Sequence, residues 1–356
     1  MNVIVVGAGL CGSVISRILA DEGYKVQMFE RRNHIGGNMY DYRDSYGILV
    51  HKYGPHCFHT NEKALMEFMQ KYEEWNEFHC KCGAEINSIC TPSPFNFQTA
   101  YDFFNKDVAE KIVNHLKSEY PNRNTVTVLE TLESSDEYVK MFADFLFAND
   151  YSLYTAKQWG ISASEIDPSV LKRVPIRLSF EEAYFDDKYQ MLPKNSYATF
   201  FENLLKSDNI TINLQTDAFK IIKILNDQIY INGLKFDGLL VYTGALDELF
   251  NKCYGNLPYR SLRFEWKHLN KKSFQKYPIV AYPQAKKFTR ITEYNKLPIQ
   301  NNLGCSYAIE YPLMYKSGES LEPYYPLLFK DSEDLYQKYY DKAKRVKGLV
   351  CLGRLA

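Results

Sequence analysis

The chain opens on an apolar, β-branched run, Val3 to Val6. Such a run predicts a strand buried on both faces. Val14, Ile15, Ile18 and Leu19 then recur at helical spacing, and Lys25 to Phe29 predicts a second strand. Ile48 to Val50 reads as a short strand and Asn61 to Tyr72 as a helix with Leu65, Met66, Phe68 and Met69 as its apolar stripe. From about residue 99 to 160 the period is helical. One stripe is Val108, Ile112, Val113 and Leu116; another is Tyr138, Met141, Phe142, Phe145 and Leu146. Alternation returns from Leu178 to Leu192, read as strand and turn. A short helix is expected at Ala198 to Leu205, with strands at Ile210–Leu214, Phe219–Ile224, Gln228–Ile231 and Gly238–Tyr242. Beyond Tyr259 the alternating segments predict an antiparallel sheet, then a helix over 333–344 and a final strand at Gly348–Leu352.

The turn between the first strand and first helix carries Gly7, Gly9 and Gly12 in the spacing G-x-G-x-x-G, with Leu10 inside it. Gly7 allows the tight turn, Gly9 lets backbone approach a pyrophosphate, and Gly12 lets the helix pack close to the sheet. The helix N-terminus offers unpaired N–H groups to phosphate oxygens. Glu30 closes the second strand where an acid accepts ribose hydroxyls, about 20 residues on. The motif alone is weak; strand, turn, helix, strand and acid together predict dinucleotide binding. Arg31 and then Gly36-Gly37-Asn38 follow. This second glycine turn resembles that of glutathione-reductase-like FAD proteins, so FAD is expected rather than NAD. The apolar strand ending in Thr243-Gly244 returns the chain to this sheet.

Charge adds exclusions. Lys plus Arg and Asp plus Glu are both 43, so bulk charge does not mark a nucleic-acid binder. No apolar run is long enough to span a membrane and no export signal is apparent, so the eight cysteines are expected reduced in the cytoplasm. Two metal readings arise: Cys80, Cys82 and Cys90 beside His79, and His51, His56 and His59 on a glycine-proline loop. Neither has a complete ligand set at a familiar spacing, and no metal is expected. The 29 tyrosines suit stacking and hydroxyl contacts to a nucleotide sugar. Arg260, Arg263 and Arg290 on the later strands suit salt bridges or forked phosphate binding.

Several longer motifs fix a resemblance. They are Arg32-Asn33-His34-Ile35-Gly36-Gly37-Asn38; His51-Lys52-Tyr53-Gly54 with His56 and Phe58-His59-Thr60; and Tyr154-Thr155 with Lys157-Gln158-Trp159-Gly160. Further on stand Lys172-Arg173 with Pro175 and Arg177, Tyr259-Arg260-Ser261-Leu262, Thr289-Arg290-Ile291, Glu322-Pro323-Tyr324-Tyr325-Pro326 and Gly353-Arg354-Leu355-Ala356. From its first residue to its last the chain resembles the bacterial UDP-galactopyranose mutases. The resemblance implies an α/β fold. A discontinuous Rossmann-like FAD domain (1–78, 193–247, 345–356) would carry a helical insertion (99–175) and an antiparallel substrate sheet (79–98, 176–192, 258–344). It implies an isomerase active with reduced FAD, interconverting UDP-galactopyranose and UDP-galactofuranose through a flavin N5–sugar adduct without net redox change. A homodimer is implied as well.

By the same resemblance, Arg173 and Arg290 would hold the diphosphate, with Tyr184, Tyr324 and Tyr325 donating hydroxyls. Tyr154 would stack on uracil and Trp159 would border the sugar or uridine. His56, His59, Arg260 and Arg354 would lie near flavin or substrate. Gly7, Gly9, Leu10, Gly12, Glu30, Arg31, Gly37, Asn38, Thr243 and Gly244 would line the cofactor. Two departures stand out. Cys80, and one of Val280, Ala281 and Tyr282, replace asparagines common in the family, so dTDP-fucopyranose and UDP-N-acetylgalactosamine remain alternative substrates. The family also continues past the position of Ala356 into a segment expected to cap the flavin domain. A flavin oxidoreductase of the same fold and a non-catalytic nucleotide-sugar binder are the rival classes.

Overall fold

A computed structural model describes residues 2–159, 174–316, 321–327 and 330–356. Five parallel strands form the nucleotide sheet, in the order Ile210–Asn213, Lys25–Phe29, Asn2–Val6, Leu239–Tyr242, Leu349–Cys351. The first strand lies at the centre, with Val5 opposite Met28 on one side and Val241 on the other. Val3, Val5, Met28 and Val241 are buried in one core beneath the Leu10–Asp21 helix. Three widely separated stretches of sequence thus build one sheet, as a discontinuous domain requires.

A second sheet has seven strands, ordered Tyr325–Pro326, Tyr259–Leu269, Cys305–Met314, Arg290–Glu293, Ile279–Ala281, Cys82–Ile86, Ile89–Ser93. The expectation of a purely antiparallel sheet needs one correction: Ile279–Ala281 runs parallel to Cys82–Ile86. The chain leaves the hairpin of Cys82–Ile86 and Ile89–Ser93 through the helical insertion, and a long connection permits a parallel return. A further correction concerns residues 189–192. They are expected in this sheet, but the Tyr189–Pro193 strand pairs with Phe58–Thr60 and Trp75–Glu77 instead. Most of 178–188 is irregular, and Ala218–Lys220 is a short 3₁₀ turn ahead of the Ile222–Leu225 strand.

The insertion contains helices at Phe97–Phe103, Lys106–Glu119, Val128–Leu132, Glu137–Leu146 and Ser152–Trp159. Asn105 and Asp136 cap two of them by accepting backbone N–H groups. Ile112, Val113, Leu116, Val139, Phe142 and Leu146 form their shared core, as the helical period predicts. A π turn at Phe147–Tyr151 redirects the chain into the last helix. Lys157 seats that helix on the second sheet. Its ammonium donates to the carbonyls of Tyr282, Pro283 and Ala285 at 2.6, 3.0 and 2.6 Å, in the turn that leads to Arg290. Burial pulls the Lys157 pKa down to about 8, with Asp150 opposing that shift.

The Tyr197–Leu205 helix braces the second glycine turn. The Asp41 carboxylate accepts the N–H groups of Tyr197 and Ala198 at 2.7 and 2.8 Å. The Phe201 ring lies so close to Gly36 that a Cβ there would sit 2.9 Å from it. Phe201 is fully buried, so Phe201→Ala should cost about 3–5 kcal/mol in urea unfolding and loosen the turn. An unchanged urea midpoint would contradict this packing.

The loop through residues 51–60 is fixed by the buried His51 and the half-buried His56. His51 accepts the His56 N–H at Nδ1, 3.1 Å, and its carbonyl accepts the Tyr294 hydroxyl, also 3.1 Å. Burial holds the His51 pKa to about 3 and that of His56 to about 4, against 6.5 ordinarily. Unfolded, both rings take protons near pH 6.5; folded, they resist until pH 4 or below. Their contribution is therefore complete above pH 6.5 and is lost as pH falls through 4. The melting temperature should drop between pH 7 and pH 4.5, and His51→Asn, whose Oδ1 can still accept the His56 N–H, should shrink that drop. An identical pH profile in the variant would count against a buried neutral ring.

Candidate active site

The glycine turn is built for backbone approach. Gly7 has φ +99°, and a Cβ there would lie 2.2 Å from the Thr243 hydroxyl, which donates to the Val6 carbonyl. A Cβ at Gly12 would lie 1.9 Å from the Gly7 carbonyl oxygen. Gly9 caps the Leu10–Asp21 helix without a side-chain bond, which leaves first-turn N–H groups for an anion. The second turn abuts the first: a Cβ at Gly37 would come within 2.7 Å of the Gly9 Cα. Gly36 N–H donates to the Ala8 carbonyl at 2.8 Å. Two side-chain-free surfaces therefore meet, as a dinucleotide pyrophosphate needs.

Glu30 lies beside this cradle. It accepts the Ala8 and Arg32 N–H groups, each at 2.9 Å, which fixes the carboxylate at the end of its strand. Gly244 and Thr243 follow the Leu239–Tyr242 strand, and a Cβ at Gly353 would lie 3.7 Å from the Thr243 carbonyl oxygen. Arg31 and Asn38 take up other contacts. The Arg31 guanidinium pairs with Glu322 at 2.6 Å and Glu248 at 3.9 Å. Asn38 accepts from Arg32, which also pairs with Glu322 at 2.9 Å and lies over the Tyr53 ring at 4.3 Å.

A second constellation is organised by Arg290. Its position on the Arg290–Glu293 strand is directly opposite Glu310, and Nε donates to the Glu310 carboxylate at 2.7 Å. The other Glu310 oxygen accepts the Thr292 hydroxyl at 3.2 Å. Glu310 is 1% exposed, whereas Arg290 leaves 28% of its side chain open. Burial alone would pull Arg290 down, but Glu310, with the phenols of Tyr154 and Tyr325 adding to it, holds the guanidinium above its ordinary pKa. Tyr184 and Tyr154 feel the same arginine, and burial raises both phenols. Sequence reading missed Glu310. The available signal was a lone acid in an otherwise apolar and aromatic alternating strand, but its partner depends on strand register.

Arg260 lies near this group. Its strand position faces Tyr325, its carbonyl accepts the Tyr324 N–H at 2.9 Å, and its Nε donates to the Gln158 carbonyl at 3.1 Å. It is 7% exposed, and no carboxylate pairs with it among the described residues. Burial lowers its pKa accordingly. Arg354 donates to the Tyr324 carbonyl at 3.1 Å and lies over the Tyr325 ring at 5.4 Å. Its charge, with that of Arg290, adds to the burial that depresses His56. Arg354 and His56 thus connect the glycine cradle with the arginine–tyrosine cluster.

Not every expected residue joins the cluster's contacts. His59 is exposed, bonds Asp187 at 2.8 Å and stacks on Phe185 at 3.6 Å. Arg173 and the Trp159 side chain lie outside the described residues. Arg263 lies over the Tyr311 ring at 4.0 Å instead of lining the cluster, while Arg177 is buried and pairs with Asp186 at 2.5 Å. Among the described residues no group of three ligating side chains could hold a metal. Cys90 sits on the hairpin opposite Glu85. Among the described residues no helix is long and apolar enough to cross a membrane.

Residues 150–356 match a protein-family model described as UDP-galactopyranose mutase, and residues 5–72 match one for an NAD(P)-binding Rossmann-like domain. A UDP-galactopyranose mutase of Mycoplasma genitalium is 35% identical over 362 residues, covering 100% of this chain and 89% of the relative. A dTDP-fucopyranose mutase of Escherichia coli is 29% identical, covering 100% of this chain and 92% of that protein. Among solved structures, a crystal structure of reduced UDP-galactopyranose mutase shares the fold, with a TM-score of 0.74 at 15% identity over 99% of this chain and 88% of that one. With its nucleotide sheet, its arginine–tyrosine cluster and a full-length relative at 35% identity, the chain belongs to the UDP-galactopyranose mutase family.

Proposed function

We propose that the chain interconverts UDP-galactopyranose and UDP-galactofuranose with FAD as its cofactor, active in the reduced state. The observation that carries this reading is Arg260, a buried guanidinium with no carboxylate partner among the described residues, whose strand partner Tyr325 also acts on an Arg290 already balanced by Glu310. A buried charge without a counterion is costly, so the site calls for an anion from its ligand. A nucleoside diphosphate supplies one. Negative charge grows on the diphosphate as the bond from sugar to phosphate breaks, and preplaced guanidinium groups stabilise it.

The cradle fits FAD. Gly7, Gly9, Gly12 and Gly37 would admit the pyrophosphate, the first turn of the Leu10–Asp21 helix would donate N–H groups to it, and Glu30 would accept the ribose hydroxyls. When bound and reduced, the flavin supplies the nucleophilic chemistry at the anomeric carbon. The chain's own residues bind and orient. Arg290 and Arg260 hold the diphosphate, and Tyr184, Tyr324 and Tyr325 donate hydroxyls. Tyr154 stacks on the base, with Trp159 and Arg173 assigned to substrate as the family motifs imply. His56 and Arg354 stand between cofactor and substrate, and neutral His56 can accept or donate a hydrogen bond without adding charge. Arg31, Asn38, Thr243 and Gly244 complete the cofactor side, and His59 the outer rim.

A second reading, the same rearrangement on dTDP-fucopyranose, is favoured by the Escherichia coli relative. Anaerobic incubation of the FAD-loaded, dithionite-reduced protein with UDP-galactofuranose, and in parallel with dTDP-fucofuranose, followed by chromatography of the sugar nucleotides, separates the two. Conversion of the UDP sugar, with reductant needed only to prime the flavin, is the expected result. Product formation in proportion to the dithionite consumed would favour an oxidoreductase. Arg290→Ala should lower turnover about a hundred-fold or more while FAD stays bound. Arg260→Ala should weaken UDP binding at least about ten-fold, since a charge-assisted contact is worth about 1.5–3 kcal/mol. Near-normal turnover in Arg290→Ala would sink the assignment.

A further inference from the structure

Three segments meet at the end of the seven-stranded sheet where Leu269 pairs with Cys305: residues 43–49, 268–276 and 294–304. Their contacts bind them into one rim. The Tyr46 ring stacks on His268 at 3.5 Å, and a Cβ at Gly304 would lie 2.5 Å from the His268 Nε2. Gln300 accepts the Leu49 N–H at 2.8 Å and donates to the Leu49 carbonyl at 3.1 Å. Asn295 donates to the Lys272 carbonyl at 2.9 Å. The rim leaves large apolar side chains outside: Leu303 is 99% exposed, Ile299 80% and Tyr46 58%, and Phe274 is exposed as well. Single exposed apolar residues are ordinary, but four on three cross-linked segments mark a docking surface.

The charge of the rim is one-sided. Over the whole chain basic and acidic residues balance at 43 each. The three segments hold Arg43, Lys271, Lys272, Lys276 and Lys296 against a single acid, Asp44. Asp44 is occupied locally: its carboxylate accepts the Tyr46 and Ile48 N–H groups at 2.9 and 3.0 Å and the Ser306 hydroxyl. Lys296 pairs with the buried Glu293 at 3.4 Å. Arg43, Lys271, Lys272 and Lys276 are exposed and pair with no carboxylate among the described residues.

We infer that this rim docks the protein on an anionic lipid surface, with Leu303 and Ile299 entering between headgroups whose phosphates face Arg43, Lys271, Lys272 and Lys276. Charge complementarity selects this occupant. Aliphatic tips give nothing to a nucleic-acid backbone, whereas an interfacial anchor uses an apolar tip and flanking cations together. A second copy of the chain, docked face to face, would bring the same cations against each other, and like charges across an interface repel. Arg260 lies at the opposite end of the Tyr259–Leu269 strand, about 30 Å of extended chain from Leu269. Docking through the rim therefore leaves the arginine–tyrosine cluster uncovered, and the inference does not depend on which substrate that cluster takes.

The test is co-sedimentation of the FAD-loaded protein with vesicles of phosphatidylcholine alone and of phosphatidylcholine mixed with phosphatidylglycerol. The expected result is binding to the mixed vesicles, much weaker binding to phosphatidylcholine alone, and release at high salt, which screens exposed charges. Leu303→Asp should weaken binding about ten-fold or more, because it removes the apolar tip and sets a negative charge against the lipid. The double change Lys271→Glu and Lys272→Glu should do the same. Both variants should keep the parent's FAD content and melting temperature, since all three side chains are exposed. No binding to the mixed vesicles, equal binding to both vesicle types, or parent-level binding by either variant would overturn the inference. So would a parent that is dimeric by light scattering beside a monomeric Leu303→Asp variant, which would assign the rim to a second copy.

Discussion

The site depends on one cross-strand contact, the Arg290–Glu310 ion pair. Strand register sets the two residues opposite each other, and Thr292 fixes the second carboxylate oxygen. A buried carboxylate needs a partner, so Glu310 holds the guanidinium in one place while much of its outer edge stays available. Tyr154 and Tyr184 come from other parts of the chain and settle near that edge. Lys157 makes the placement of Tyr154 possible, because its ammonium ties the Ser152–Trp159 helix to the turn before Arg290.

A second constraint is the absence of side chains where the two glycine turns touch. Gly7, Gly12 and Gly37 each lie where a Cβ would collide with backbone or with Thr243. The collisions involve segments from the start of the chain and from residue 243, with the 353–354 segment packed alongside. The cradle therefore exists only once the five-stranded sheet has closed. Arg354 then carries contact from the cradle to the Tyr324–Tyr325 segment, and Glu322 just before it pairs with Arg31 and Arg32. Cofactor and substrate halves are thereby joined by charged contacts as well as by chain connectivity.

Family membership and site chemistry support each other, but through different observations. Full-length similarity places the chain among the mutases, while Arg260, without a carboxylate partner among the described residues, states what kind of ligand would balance the site. Cys80 is where this chain departs from the expected pattern. It lies where the family resemblance anticipates asparagine, with the Cys82 sulfur 3.9 Å from its own.

Much of this was legible in sequence because it is local. The first two strands, the helix between them and the glycine turn that joins them stand where the sequence predicts, since backbone sterics and short-range periodicity dictate them. The helical insertion read correctly for the same reason: Ile112, Val113 and Phe142 repeat at the helical period and are buried. What lay beyond the sequence depends on pairing between distant segments. Alternation shows that Cys305–Met314 is a strand but not that Glu310 faces Arg290, because a one-residue slip would turn it to the other face. Nor could spacing show that Tyr189–Pro193 joins Phe58–Thr60. The sequence by itself determined most of the elements and supplied the glycines of the cradle. Tertiary structure decided which charge is paired and which is left for a ligand, because those energies depend on through-space distance and burial.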